Sequence, residues 1–257
     1  MDTDNARFAE RISTNAAGEN NALINHHQTQ QLQKKLIMNE PNSIKHVCFD
    51  LDGTLIDSFN TIYKSTVQAM RELKINSPVP EKEFYSRIGL HFIDIFRDLE
   101  IPVIDFEEFI TIYKKHYFEF IDDSKPFTGT EESLAFLNSE GIHISLLTTK
   151  GQDQADKIID HFGFRKYFSF VMGRRDNIAN KPSAEPLIFI CNNLKVSPKA
   201  TLMVGDTELD IQCGKNAGSK TCAAAYGYRP ASILKNENPD FIINKIHELK
   251  NLLNNKK

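Results

Sequence analysis

Apolar residues in this chain gather into short runs separated by amphipathic stretches. "IKHVCF" ends at Asp50 and "IHISLL" ends at Thr148; "SFVM", "ATLMV", "KTCAAA" and "DFII" follow over 169–172, 200–204, 220–225 and 240–243. Each has the length and the apolar content of a strand buried on both faces. Between the runs the period changes. In "TEESLAFLNSEG" Leu134 and Leu137 recur at helical spacing, with Thr130 read as the cap and Gly141 as the stop, and in "QDQADKIIDHFG" Ala155, Ile158, Ile159 and Phe162 share a face before Gly163. Strands alternating with helices predict right-handed crossovers and a parallel sheet covered on both sides, a Rossmann-like α/β core.

One region departs from the alternation. Between Ser58 and Pro126 no strand pattern is found. Phe59, Ile62, Tyr63, Val67, Met70 and Leu73 fall on one helical face, and Phe106, Phe109, Ile110, Tyr113, Tyr117 and Phe120 on another that Asp105 and Glu108 open as a capping box. The pattern predicts an all-α insert over 59–126 that divides the core into 44–58 and 127–257. The aromatic stripe of "FEEFITIYKKHYFEF" is read as core packing rather than as a cofactor box. Residues 1–43, rich in Asn and Gln, carry too few apolar side chains to offset the entropy of ordering them, so an unstructured extension is expected, with a helical piece around "QQLQKKLIM". His26 and His27 within it read as solvated residues rather than metal ligands.

Composition narrows the classes. With 40% hydrophobic and 25% charged residues and a formal net charge of -3, the chain has no block of Lys or Arg to recruit nucleic acid. It has no run of the roughly 18 apolar residues a membrane span needs and no secretion signal at its start, so a cytoplasmic protein is expected. Four cysteines without C-x-x-C spacing suggest neither zinc nor a disulfide framework. The oligomeric state is left open.

The chemistry concentrates at the ends of the apolar runs. In open parallel sheets ligands gather at the carboxyl ends of strands, where strand order reverses. Asp50, Thr148 and Asp206 stand at three such ends. A lone D-x-D-G is an ordinary turn, but "DLDGTLIDS", "LLTTK", "NKPSAEP" and "GDTELD" occur together in that order. Asp50 is ionised at neutral pH without help from a base; its obstacle as a nucleophile is the negative charge of a phosphate, which a divalent cation held by carboxylates removes.

That set of motifs resembles the haloacid dehalogenase-like hydrolases, over roughly Lys45 to Asn244, with the insert in the place of the family's helical cap. "KPSAEP", "VGDTELD" and the late "YGY" look most like its phosphoglycolate phosphatase-like branch. The resemblance implies a Mg2+-dependent phosphatase acting on a small phosphate monoester through an aspartyl phosphate. It implies Asp50 as nucleophile, Asp52 as acid and base, Thr148 and Lys181 as phosphate holders, and a metal set of Asp50, Asp206 and the backbone carbonyl of Asp52 as direct ligands, with Asp210 holding a metal-bound water or positioning those ligands. Gly53, Thr149 and Arg87 are the expected substrate-binding positions, Arg87 through "SRIGL" in the insert, with Lys150 a weaker candidate; Thr54 is expected to fix the loop. Thr149 replaces the Asn usual after the phosphate-binding Thr. The alternatives are a pyrophosphatase or nucleotidase of the same branch, a sugar phosphomutase of the β-phosphoglucomutase type, and a non-catalytic binding module. Asp52 argues against a dehalogenase, and the full set of acids against an inactive fold.

Overall fold

The computed structural model of the protein describes residues 43–254. The expected extension, with its helical piece and the His26–His27 pair, lies outside the described residues except for Ser43.

Six parallel strands form the central sheet in the order β5-β4-β1-β6-β7-β8: β1 is His46–Phe49, β4 His143–Gly151, β5 Phe170–Arg174, β6 Thr201–Gly205, β7 Lys220–Ala224 and β8 Phe241–Ile243. Except at the end of β4, the predicted runs match these strands to within the fraying of their ends. Alternation along β1 sorts the two faces. Val47 and Phe49 join Leu146, Val204 and Ile158 in one buried cluster, whereas Cys48 joins Leu147, Met203 and Ile190 in another. Helices α5 (Thr130–Ser139) and α6 (Gln152–His161) cover the first face; α7 (Glu185–Leu194) and α8 (Glu208–Asn216) cover the second. The chain continues through α9 (Ala231–Asn236) to α10 (Leu249–Asn254). Among the described residues no helix is long and apolar enough to cross a membrane.

From β1 the chain builds outward to β4 and β5, then returns to β6 on the other flank of β1. Strand order therefore reverses at β1, and the crevice beyond its carboxyl end is where such folds hold ligands. Phe49 pairs with Leu146 on one side and Val204 on the other, so Asp50, Thr148 and Asp206 emerge at one edge of the sheet.

The insert consists of α1 (Phe59–Glu72), α2 (Glu81–Tyr85), α3 (Phe92–Asp98) and α4 (Phe106–Glu119). Asp105 caps α4 by accepting from the Glu108 amide at 2.9 Å. Phe84, Phe96, Phe109 and Tyr117 are fully buried, and burying such a side chain stabilises by about 1.5–3 kcal/mol. Phe92 sits edge-on to Phe109 and to Tyr113, with ring centres 5.3 and 4.6 Å apart.

Three local expectations are corrected. Strand pairing does occur at the edges of the insert: β2 (Ile56–Asp57) and β3 (Lys125–Pro126) form an antiparallel ribbon. Two residues are too few to show a period, and Pro126 argues against a strand except at an edge. Thr130 does not cap α5; Gly129 holds that position, and the Thr130 hydroxyl donates to the Leu55 carbonyl at 3.1 Å. Thr148 is not the end of its strand, since β4 runs on to Gly151 after an irregularity in its pairing with β5 beyond Leu147. Such an irregularity re-aims side chains without ending the strand.

Candidate active site

Asp50 leaves β1 with its amide still bonded to the Val204 carbonyl at 2.9 Å. The chain then turns within the next few residues, the amides of Leu55 and Ile56 closing on the Leu51 carbonyl and that of Gly53 on the Ile56 carbonyl. Gly53 has φ +82°, and a Cβ there would stand 2.3 Å from Oδ2 of Asp206. Only glycine permits both the turn and the approach of that acid. The second acidic loop is built the same way: a Cβ on Gly205 would lie 2.1 Å from Cγ of Asp210, while Thr207 and Asp210 form the capping box that starts α8.

These turns crowd carboxylates into the sheet edge. One oxygen each from Asp50, Asp206 and Asp210 lies within 4.8 Å of the others, and all three residues are buried. Lys181 is only 6% exposed, and its ammonium donates to Oδ1 of Asp50 and to Oδ1 of Asp210, both at 2.6 Å. Among the described residues Asp206 has no ion-pair partner; it accepts from the Thr54 hydroxyl at 2.9 Å and the Tyr228 amide at 2.8 Å.

One ammonium cannot neutralise three acids. Burial, with the carboxylates of Asp210 and Asp52 adding to it and Lys181 opposing, pushes Asp50 up to about 7. Burial beside Asp50 and Asp210 likewise holds Asp206 well above the usual carboxylate range. Burial alone would lower Lys181, yet the carboxylates of Asp210 and Asp50 outweigh it and keep the side chain charged. A buried all-oxygen cluster with surplus negative charge fits a hard divalent cation such as Mg2+.

Asp52 lies apart from the trio. The Ser58 hydroxyl donates to its Oδ1, and Lys150 Nζ stands 3.2 Å from its Oδ2 while also lying 4.5 Å over the Tyr117 ring. Thr148 is buried at the same edge, with the Lys150 amide 3.3 Å from its hydroxyl.

A cavity of about 550 Å³ opens between this edge and the insert, lined on the core side by Asp52, Thr149, Lys150 and Asn180. Thr149 reaches across it, donating to the Gly89 carbonyl at 3.4 Å. Arg87 is not brought to the cavity: it donates to the Glu83 carbonyl and faces Asp98, with 3.9 Å between Nε and Oδ2. Gly53 packs behind Asp206 instead of lining the space.

Sequence reasoning missed Ser58 and Tyr228. Ser58 is the last residue of "DLDGTLIDS", but nothing in a serine before a helix marks it as a partner for Asp52. The Tyr228 hydroxyl accepts from the Ser58 amide at 2.8 Å, a bond spanning 170 positions that no local pattern announces. His91, Gln154 and Arg174, which also line the cavity, were missed for the same reason.

A parallel sheet whose strand order reverses beside a cluster of acids defines an α/β enzyme architecture with its chemistry at the switch point. The family model described as haloacid dehalogenase-like hydrolase matches residues 47–224. Over 211 residues the chain is 38% identical to a Clostridium perfringens protein provisionally named pyrophosphatase PpaX, covering 82% of this chain and 97% of that one. It is 31% identical over 217 residues to a phosphoglycolate phosphatase of Aquifex aeolicus, covering 81% and 96%. A crystal structure of a predicted phosphoglycolate phosphatase from Haemophilus somnus superposes with a TM-score of 0.71 at 23% identity, over 83% of this chain and 99% of that one, and shows the shared fold. The chain belongs to the haloacid dehalogenase-like hydrolases.

Proposed function

We propose that the protein is a divalent-metal-dependent phosphatase that transfers a phosphoryl group from a small phosphate ester to Asp50 and then to water. The observation that carries this reading is the convergence of Asp50, Asp206 and Asp210 within 4.8 Å around a buried Lys181. The carboxylates of Asp50, Asp206 and Asp210 would hold Mg2+, which when bound offsets the repulsion between Asp50 and the phosphate.

The chain's own groups supply the rest. An oxygen of Asp50 attacks phosphorus as the bond to the leaving oxygen breaks, and Asp52 gives that oxygen its proton; water then attacks the aspartyl phosphate, Asp52 takes up a proton from it, and inorganic phosphate departs. In this structure both oxygens of Asp52 are engaged, Oδ1 by the Ser58 hydroxyl and Oδ2 by Lys150. Its turn as donor requires Lys150 to let go, and the substrate's phosphate is the competing anion. Thr148 and Lys181 would hold the non-bridging oxygens.

The insert over 59–126 serves as a cap on a core of 44–58 and 127–257, excluding water during transfer. Pyrophosphate hydrolysis is a second reading, favoured by the similarity to a protein provisionally named pyrophosphatase. Phosphate release from phosphomonoesters and from pyrophosphate, each with Mg2+ and again with chelator, tests both. Metal-dependent release is expected; release from none of them overturns the proposal.

A further inference from the structure

The cavity beside Asp52 is larger and more apolar than a two-carbon acid or a second phosphate requires. Its 550 Å³ falls in the range of about 300–1,000 Å³ of sites that enclose drug-sized ligands. The insert supplies a wall of Ile62, Ile88, Leu90, Phe92, Phe106 and Ile110. A substrate without apolar surface would leave that wall in contact with water.

The charges in the cavity point the same way. Lys150 is engaged by Asp52, and Lys114 by Asp153 at 2.8 Å. Burial and the nearby Arg174 hold His91 below its ordinary value, which leaves it neutral near pH 7. Arg174 has no ion pair among the described residues, and the cavity also carries the carboxylate of Glu107. One uncommitted cation in a cavity that also holds an acid is a poor receptor for a second phosphate. Gln154 lines the same space and is 3% exposed, and among the described residues its amide nitrogen completes no hydrogen bond, with Tyr113 beside it. A buried donor of that kind calls for a ligand oxygen or ring nitrogen.

We propose that the substrate is a phosphomonoester whose leaving group is a ring-bearing, largely apolar alcohol seated in this cavity, rather than phosphoglycolate or pyrophosphate. The inference rests on the phosphatase reading above and names the substrate class of that site. The ring packs against the insert while the phosphate faces Asp50, so binding in the cavity places the leaving oxygen beside Asp52.

The test uses the full chain with Mg2+ and a panel of ethyl, benzyl and naphthylmethyl phosphates, with phosphoglycolate and pyrophosphate. These alkyl esters differ chiefly in apolar bulk. The expected result is a rise in kcat/KM of at least about tenfold from ethyl to naphthylmethyl phosphate, with the latter above both phosphoglycolate and pyrophosphate. Ile110→Asp and the milder Ile110→Ala, each checked for folding by circular dichroism, are expected to flatten that rise. Calorimetric binding of the same esters to Asp50→Asn is expected to follow the same order. Metal-dependent turnover with phosphoglycolate or pyrophosphate preferred, or with no dependence on bulk, overturns this inference and leaves the phosphatase reading standing. Failure to release phosphate from any compound overturns the reading and the inference with it.

Discussion

Strand β1 has a buried polar cluster at each end, and the two are built on opposite principles. At its start, His46 donates or accepts through both ring nitrogens, with Ser145 at 2.8 Å on β4 and Thr201 at 3.1 Å on β6. At its far end Asp50 meets Lys181, with Thr148 of β4 and Asp206 after β6 at the same edge. The same three strands carry both. The first cluster is neutral and satisfied within itself: burial, then the neighbouring His143, lowers His46 to about 3. The second is charged and holds more acid than its one lysine can balance. A buried polar group that is fully paired is architecture, whereas one left with surplus charge is prepared for something that binds.

The largest expected break in that symmetry is Asp50→Asn. Turnover should fall on the order of 10⁴-fold or more, as when a covalent nucleophile is removed, while the fold persists by circular dichroism; retained turnover would remove Asp50 as nucleophile. Asp52→Asn comes next, with kcat lowered roughly 10²–10⁴-fold, the usual worth of acid–base assistance. Rapid-quench measurement of phosphate on the protein checks the role, because the variant should still bind ester while both transfer steps slow.

Lys181→Met acts on stability as well as rate. Taking the ammonium away leaves Asp50 and Asp210 without a countercharge, at a cost of about 3–5 kcal/mol in metal-free protein. Urea unfolding with and without Mg2+ should show the metal recovering part of that loss, and an equal loss in both conditions would argue against a shared metal set.

At the other end, His46→Leu should leave turnover unchanged and cost about 1–3 kcal/mol by removing the imidazole's hydrogen bonds to Ser145 and Thr201. The pH dependence sharpens the contrast. Because the folded pKa of His46 lies below its unfolded value of 6.5, the unfolded chain takes up the proton first as the solution is acidified. The contribution is fully present above about pH 6.5 and is lost progressively toward pH 3. Wild type should therefore lose stability more steeply than His46→Leu across that window in urea titrations; parallel curves would count against a neutral buried imidazole.

Much of the charged end could be read from the chain. Asp50, Asp52, Asp206 and Asp210 lie in short segments, "DLDGTLIDS" and "GDTELD", whose spacing survives folding because each loop is local to one strand end. Lys181 stood in a motif but owes its place to packing that buries it between two distant acids. The neutral end was not legible: His46 sits inside an apolar run, and Ser145 and Thr201 become its partners only through sheet register. The stripe of α4 shows a third case. Its residues follow the helical period predicted for core packing, and Phe109 and Tyr117 obey it, yet Phe106, Ile110 and Tyr113 also border the cavity. Apolar periodicity says which face of a helix avoids water, not whether protein or ligand covers it.

The ribbon of β2 and β3 carries a consequence of a different kind. Ile56 pairs with Pro126 and Asp57 with Lys125, so the chain enters and leaves the insert at the separation of two hairpin strands, about 5 Å. In topological terms everything from Ser58 to Ser124 is one enlarged hairpin loop. The entropy of closing a loop grows only with the logarithm of its length, so helices can be added, exchanged or trimmed there without moving β1 or β4. A lineage can thus change what sits above the acids by insertion and deletion at a single seam while the acids themselves stay in register.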